Sequence, residues 1–203
     1  MDNIIYDAVF FVEDDMARLL LKKMLKICCE EDNRFTTITN CIVLVGGYEQ
    51  TAHLAINTRR QLFGRSYVCA VWDADVLPQN DMIRSLYNDH HEMIFDLGCT
   101  PEVWMIEKLE SMDEGIVTAL RERFQIEVDT VINSAEYLAC NSPKPRKLAK
   151  AKMDVVIALL SSVIGDNPEI VLDAFAQIII DQAYDVPQIK SIIAPMLAPT
   201  LRP

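Results

Sequence analysis

Residues 5–15, IYDAVFFVEDD, decide the fold. The run up to Val12 is β-branched, aromatic or apolar at nearly every position, then stops abruptly at Glu13-Asp14-Asp15. A strand that is apolar on both faces belongs in the interior of a parallel sheet, covered above and below by helices. Its acidic end then lies at the C-terminal edge of that sheet. Residues 15–31 follow at once with Met16, Leu19, Leu20, Met24 and Ile27 at helical spacing. Asp14 or Asp15 is placed to cap that helix.

The same alternation repeats outward from this stretch. Residues 41–45, CIVLV, read as a second buried strand stopped by Gly46-Gly47, with a helix over 48–62. Residues 67–72, YVCAVW, read as a third buried strand that ends in Asp73-Ala74-Asp75. A helix over 79–91 and a short fourth strand over 93–97 come next, then a Pro-led helix over 102–112 and helices over 114–124 and 128–140. Strands alternating with helices specify an α/β fold, a mostly parallel sheet flanked by helices with right-handed connections. After Asn141-Ser142-Pro143 the composition changes. Residues 144–152, KPRKLAKAK, hold five basic side chains and no acidic one. Apolar helices follow in 153–203, ending in a tail, APTLRP, expected to fray. The expected organisation is an α/β domain over 1–142 and a basic segment with a helical extension over 143–203, packed on the sheet or on a partner.

Composition bounds the function. The chain has 203 residues, 51% of them hydrophobic, which is enough for a folded core. Its net charge is 19 − 30 = −11, which argues against coating nucleic acid by bulk charge. It leaves room for a nucleic-acid enzyme whose carboxylates hold metal ions against phosphate. No stretch is long and apolar enough for a transmembrane helix, and the acidic N-terminus lacks the basic region of a signal peptide. Six cysteines without a CxxC point to a reduced, cytoplasmic protein with cysteines in its core. There is no GxxxxGK[ST] P-loop and no GxSxG elbow.

Three acidic positions fall at strand ends: Glu13, Asp73 and Asp75. In an extended chain Asp73 and Asp75 point the same way, with Ala74 pointing away. Two carboxylates on one side near a third suit a hard cation such as Mg²⁺ or Mn²⁺, which also relieves their repulsion. The bland alternative is a solvated turn with a capped helix beside it.

The ordered set of motifs resembles a Toprim domain, the metal-binding fold of topoisomerases, primases and several nucleases. A Glu closes the first strand (Glu13), glycines turn after the second (Gly46-Gly47), and DxD closes the third (Asp73, Asp75). The segment LGCTPEVWMIEKL is similar to the element following DxD in nucleases of the overcoming-lysogenization-defect (OLD) family, where an acidic residue begins a helix; Glu102 takes that place. The resemblance implies a divalent-metal-dependent endonuclease that hydrolyses phosphodiester bonds of DNA, the Toprim effector of an ATPase-coupled system in anti-phage defence. It implies metal ligands among Glu13, Asp14, Asp73, Asp75 and Glu102. It also implies a downstream lysine facing the phosphate, for which the basic run offers Lys144 or Lys147, with Lys150 as a further choice. OLD-type nucleases couple this domain to an ABC-class ATPase, so the expected partners are DNA, an ATPase as separate subunit or missing N-terminal domain, and a second copy of the chain. One departure stands out. Many OLD-type sequences carry a second acid four positions after the first Glu, where this chain has Ala17. A catalytically degenerate Toprim interaction module is therefore an alternative. VFFVEDDMARLLLKKML also resembles the start of a response-regulator receiver, with Asp73 as phospho-acceptor, but the interval from Asp15 to Asp73 is long for a receiver.

Overall fold

The computed structural model describes residues 6–58, 66–76 and 81–201. It shows an α/β fold with an all-parallel four-stranded sheet flanked by helices and a helical C-terminal region. The chain forms two compact units, Met1–Thr100 with Val186–Pro203, and Pro101–Asp185. Neither division falls at the expected boundary between 142 and 143. The reason is packing: the helix that begins in the basic run packs on the helix that begins at Pro101, and the last helix packs back on the first.

In the first unit, β1 (Ala8–Val12) leads into α1 (Asp15–Glu31), β2 (Asn40–Leu44), α2 (Tyr48–Thr58), β3 (Tyr67–Trp72), α3 (Asp81–Asp89) and β4 (Ile94–Asp96). The parts of the expected helices at 59–62 and 79–80, and the start of the first strand at Ile5, lie outside the described residues. The strand order is β2-β1-β3-β4. β1 is buried at all five positions and β3 at all six, as two-sided apolar runs require. Val9, Phe11, Val68, Ala70 and Trp72 face a core shared with Ala52 and Ala55 of α2 and Ile83 of α3. The alternate positions Phe10, Val12, Cys69 and Val71 are fully buried and belong to the opposite face. There α1 packs with α10 (Val186–Leu197), and the Lys190 ammonium donates to the Glu31 carbonyl at 2.8 Å. Burying one side chain such as Phe10 contributes about 1.5–3 kcal/mol.

The second strand differs from its expected burial. β2 is only partly buried, and Leu44 is 43% exposed. An apolar sequence alone does not say whether a strand is central, and among the described residues this one pairs with β1 alone, at the edge of the sheet. The turn after it matches the sequence: Gly46 and Gly47 take φ of +87° and +86°, a backbone region that strains any side chain. The Trp72 indole N–H donates to the Tyr48 carbonyl at 2.9 Å, which ties the start of α2 to the end of β3.

The second unit is all helix: α4 (Pro101–Glu110), α5 (Glu114–Phe124), α6 (Val128–Ile132), α7 (Ala135–Ala139), α8 (Pro145–Ile164) and α9 (Pro168–Ala183). The single helix expected over 128–140 is two short ones. The first ends at Ile132 with Asn133 as its C-cap, and Ser134 caps the second, its hydroxyl accepting from the Tyr137 N–H at 3.2 Å. α8 runs from the basic segment through MDVVIALLSSVI without a break and ends at Gly165, φ +72°. Trp104, half-buried, stacks on Tyr184 with ring centroids 4.8 Å apart, while Trp72 is buried in the sheet. The tail begins as a 3-10 turn over Ala198–Thr200, and Arg202 and Pro203 lie outside the described residues. No helix among the described residues is long and apolar enough alone to cross a membrane.

Candidate functional site

The strand order fixes where a site forms. From β1 the chain moves to one side for β2, then crosses over β1 to β3 and continues outward to β4. The helices after β1 and β3 therefore leave on opposite faces, and the C-terminal ends of those two strands are the switch point at which open α/β sheets bind ligands. Glu13 and Asp73 stand at that point. Val12 pairs with Val71, so Glu13 falls opposite Trp72 and Asp73 lies one residue beyond. Adjacent strands are about 4.8 Å apart and the rise is about 3.3 Å per residue, so the two backbones are close neighbours.

Both side chains are withdrawn from solvent. Glu13 is 8% exposed and Asp73 is fully buried, with Glu13 Oε1 and both Asp73 oxygens shielded from water. Asp75 is half-buried, with Oδ1 shielded. The path of DxD differs from the extended one expected. β3 ends at Trp72, and Asp73–Val76 forms a turn in which the Val76 N–H donates to the Asp73 carbonyl at 3.1 Å. Side-chain alternation therefore stops at Trp72, and the turn rather than a strand sets the direction of Asp75. The Ala74 N–H donates to the Cys99 carbonyl at 3.2 Å, and the Leu97 N–H to the Trp72 carbonyl at 2.8 Å. These bonds pin the DxD turn to the loop after β4.

That loop brings in a carboxyl group the sequence reading passed over. Asp96 closes β4, pairs in register with Trp72, and accepts the Gly98 N–H on Oδ1 at 2.6 Å. Burial pushes its pKa above the ordinary carboxylate value, the Gly98 N–H pulls it down, and the Asp75 charge raises it further. Electrostatically, Asp75 and Asp96 belong to one neighbourhood. The signal was present as FDLG, an acid at a strand end followed by a glycine, here at φ +82°.

The other expected site residues are placed as follows. Asp14 caps α1, its Oδ1 accepting the Met16 and Ala17 N–H groups at 3.1 and 3.0 Å. Asp15 is exposed and pairs with Arg18 at 2.6 Å. Ala17 is 1% exposed in the core of α1. Glu102 belongs to the second unit, in the first turn of α4. It is 1% exposed, with Oε1 3.1 Å from Lys150 Nζ and Oε2 4.0 Å from Arg146 Nε. Lys144 precedes the first turn of α8, and Lys147 lies in that turn; both side chains face solvent. Arg146 had not been singled out, although its i,i+4 spacing from Lys150 marks one helix face.

These carboxylates suit a hard divalent cation by donor type and by their shielding from water. Among the described residues, no three His, Cys, Asp or Glu side chains converge into a ready metal cage. Like-charged carboxylates repel when no cation lies between them. No family model, curated protein or solved structure matches this chain.

Proposed function

We propose that the chain is a divalent-metal-dependent nuclease of the Toprim type, similar to the effector domain of OLD-family systems. The observation that carries this reading is the burial of Glu13 and Asp73 side by side at the switch point of the sheet, with Asp75 in the adjoining turn. Burying like charges is costly, and acids gathered in this way at a sheet's switch point mark a candidate functional site.

In this reading Glu13, Asp73 and Asp75 hold Mg²⁺ or Mn²⁺. When bound, such an ion lowers the pKa of water and offsets charge on a phosphodiester. The chain itself supplies the positioning. The hydrogen bonds from Ala74 to Cys99 and from Leu97 to Trp72 fix the turn that carries both aspartates. The apolar β1 and β3 hold the first carboxylates rigidly, which precise positioning requires. Basic side chains of 144–152 meet the phosphate backbone. The ABC-class ATPase partner and the role in phage defence rest on the same resemblance, and so does DNA as substrate.

The test is incubation with supercoiled and linear DNA plus Mg²⁺, Mn²⁺ or EDTA, alongside Asp73→Ala/Asp75→Ala. Cleavage is expected with metal, and none with EDTA or in the double variant. Cleavage that survives the double substitution would remove the site assignment. The second reading, a degenerate Toprim module that binds partners without cleaving, is favoured by Ala17, a buried apolar residue where many OLD-type sequences carry an acid. It predicts folded protein and no cleavage with either metal, even with the ATPase added. Aspartyl phosphorylation at Asp73 fits poorly, because both its oxygens are shielded from solvent.

A further inference from the structure

β2 lies at one side of the sheet, and among the described residues its outer edge meets no strand. The Thr39 carbonyl accepts the Ala8 N–H at 3.1 Å, and the Val45 N–H donates to the Val12 carbonyl at 3.0 Å. Backbone groups alternate sides along a strand, so Cys41 and Val43 also turn theirs toward β1. Asn40, Ile42 and Leu44 therefore turn their N–H and C=O groups outward.

Such an edge is a template for another strand, and folded proteins blunt it with charge, proline or a bulge. β2, NCIVL, has none of these. It holds no charged residue and no proline, and its register with β1 runs unbroken over all five residues. The adjoining sequence shares this character. Residues 35–58 hold a single charged side chain, Glu49, in a chain that is 24% charged. Leu44 and Leu54 are exposed within that stretch.

The charge pattern selects the occupant. Two copies of a chain with net charge −11 repel over most of their surfaces, and close approach is least opposed where neither carries charge. The strand is also complementary to itself. A two-fold axis sets a strand antiparallel to its own copy. With the axis at Ile42, Ile42 faces Ile42 and Asn40 faces Leu44, so each outward N–H meets an outward C=O.

We propose that β2 pairs antiparallel with β2 of a second copy, joining the two four-stranded sheets into one. The strands of the two copies then run in opposite directions, and the ends marked by Glu13 and Asp73 lie at opposite edges of the joined sheet. Five residues of strand span only about 17 Å, so association is expected in the micromolar range. The pairing does not depend on the nuclease reading.

Sedimentation velocity of the wild-type chain in EDTA, over a micromolar concentration series, is expected to show a monomer–dimer equilibrium. Hydrogen exchange on the same samples reads which amides are covered. The Ile42 and Leu44 amides are expected to slow about tenfold or more as the dimer fills, while those of Cys41 and Val43 stay protected throughout. Ile42→Lys sets two like charges on the axis and is expected to weaken the dimer about tenfold or more. Ile42→Pro removes the outward N–H, leaves the bonds to β1 in place as edge strands allow, and is expected to do the same. If either does not fold by circular dichroism, Leu44→Lys replaces it at an exposed position. Leu138→Lys, an exposed apolar position of α7, is the control and keeps the wild-type dissociation constant. A wild-type chain that stays monomeric, or a dimer unchanged by the β2 variants, would overturn the pairing. Ile42 and Leu44 amides already protected in the monomer would overturn it too, because the edge would then be covered by the chain itself. A dimer that forms as expected in a protein that cleaves nothing would uphold the pairing and reject the nuclease reading.

Discussion

Asp96 shows how a strand end alters a carboxyl group. Burial and the Asp75 charge both raise its pKa, and only the Gly98 N–H opposes them. A carboxyl whose folded pKa is raised contributes stability at pH below its unfolded value. That contribution is lost as pH rises through the folded pKa. Replacing Asp75 by Asn removes one of the raising causes. Carbon-detected NMR titration should therefore find the Asp96 pKa lower in Asp75→Asn than in the wild type. An unchanged value would mean that the two groups do not share a site. Asp96 escaped the sequence reading although its strand was expected, because the significance of its acid depends on which strand lies beside it.

At the scale of elements, α1 formed over the expected residues because its signals agree: an Asp cap, apolar spacing and no breaker. Asp14 is one of those signals. Asp14→Ala leaves the Met16 and Ala17 N–H groups without their acceptor, and a lost cap costs about 1 kcal/mol. Thermal denaturation should show that loss, while Mn²⁺ affinity stays at the wild-type level. A large loss of metal affinity would instead return Asp14 to the ligand set. Elements misread from sequence failed for local reasons. The helix over 128–140 breaks at Asn133-Ser134, where the first helix is C-capped and the Ser134 hydroxyl takes the Tyr137 N–H to start a second, and periodicity alone does not register such caps. β2 was read as buried because its residues are apolar, yet its place at the sheet edge leaves it half-covered.

For the whole molecule, the charge of −11 is unevenly distributed, with acids at the strand ends of the first unit and a basic segment on α8 of the second. Metal binding at the strand ends would stabilise the folded state. Mn²⁺ at about a hundredfold its Kd should raise the unfolding free energy by about 2.7 kcal/mol, and EDTA should reverse it. Chemical denaturation of Asp73→Ala should show no such gain; an equal gain would place the bound metal elsewhere. The sequence by itself determined the parallel α/β sheet, because two-sided apolar strands alternating with amphipathic helices have few other ways to bury their surfaces. It also marked Glu13 and Asp73, since an acid that ends an apolar strand stands at the sheet's edge whatever the neighbouring strands are. The tertiary structure alone decided that β1 and β3 are neighbours at the switch point, that Asp96 joins Asp75, and that Glu102 is held by Arg146 and Lys150. Each of these depends on which elements pack together, and that is set by long-range contacts that no local pattern along the chain records.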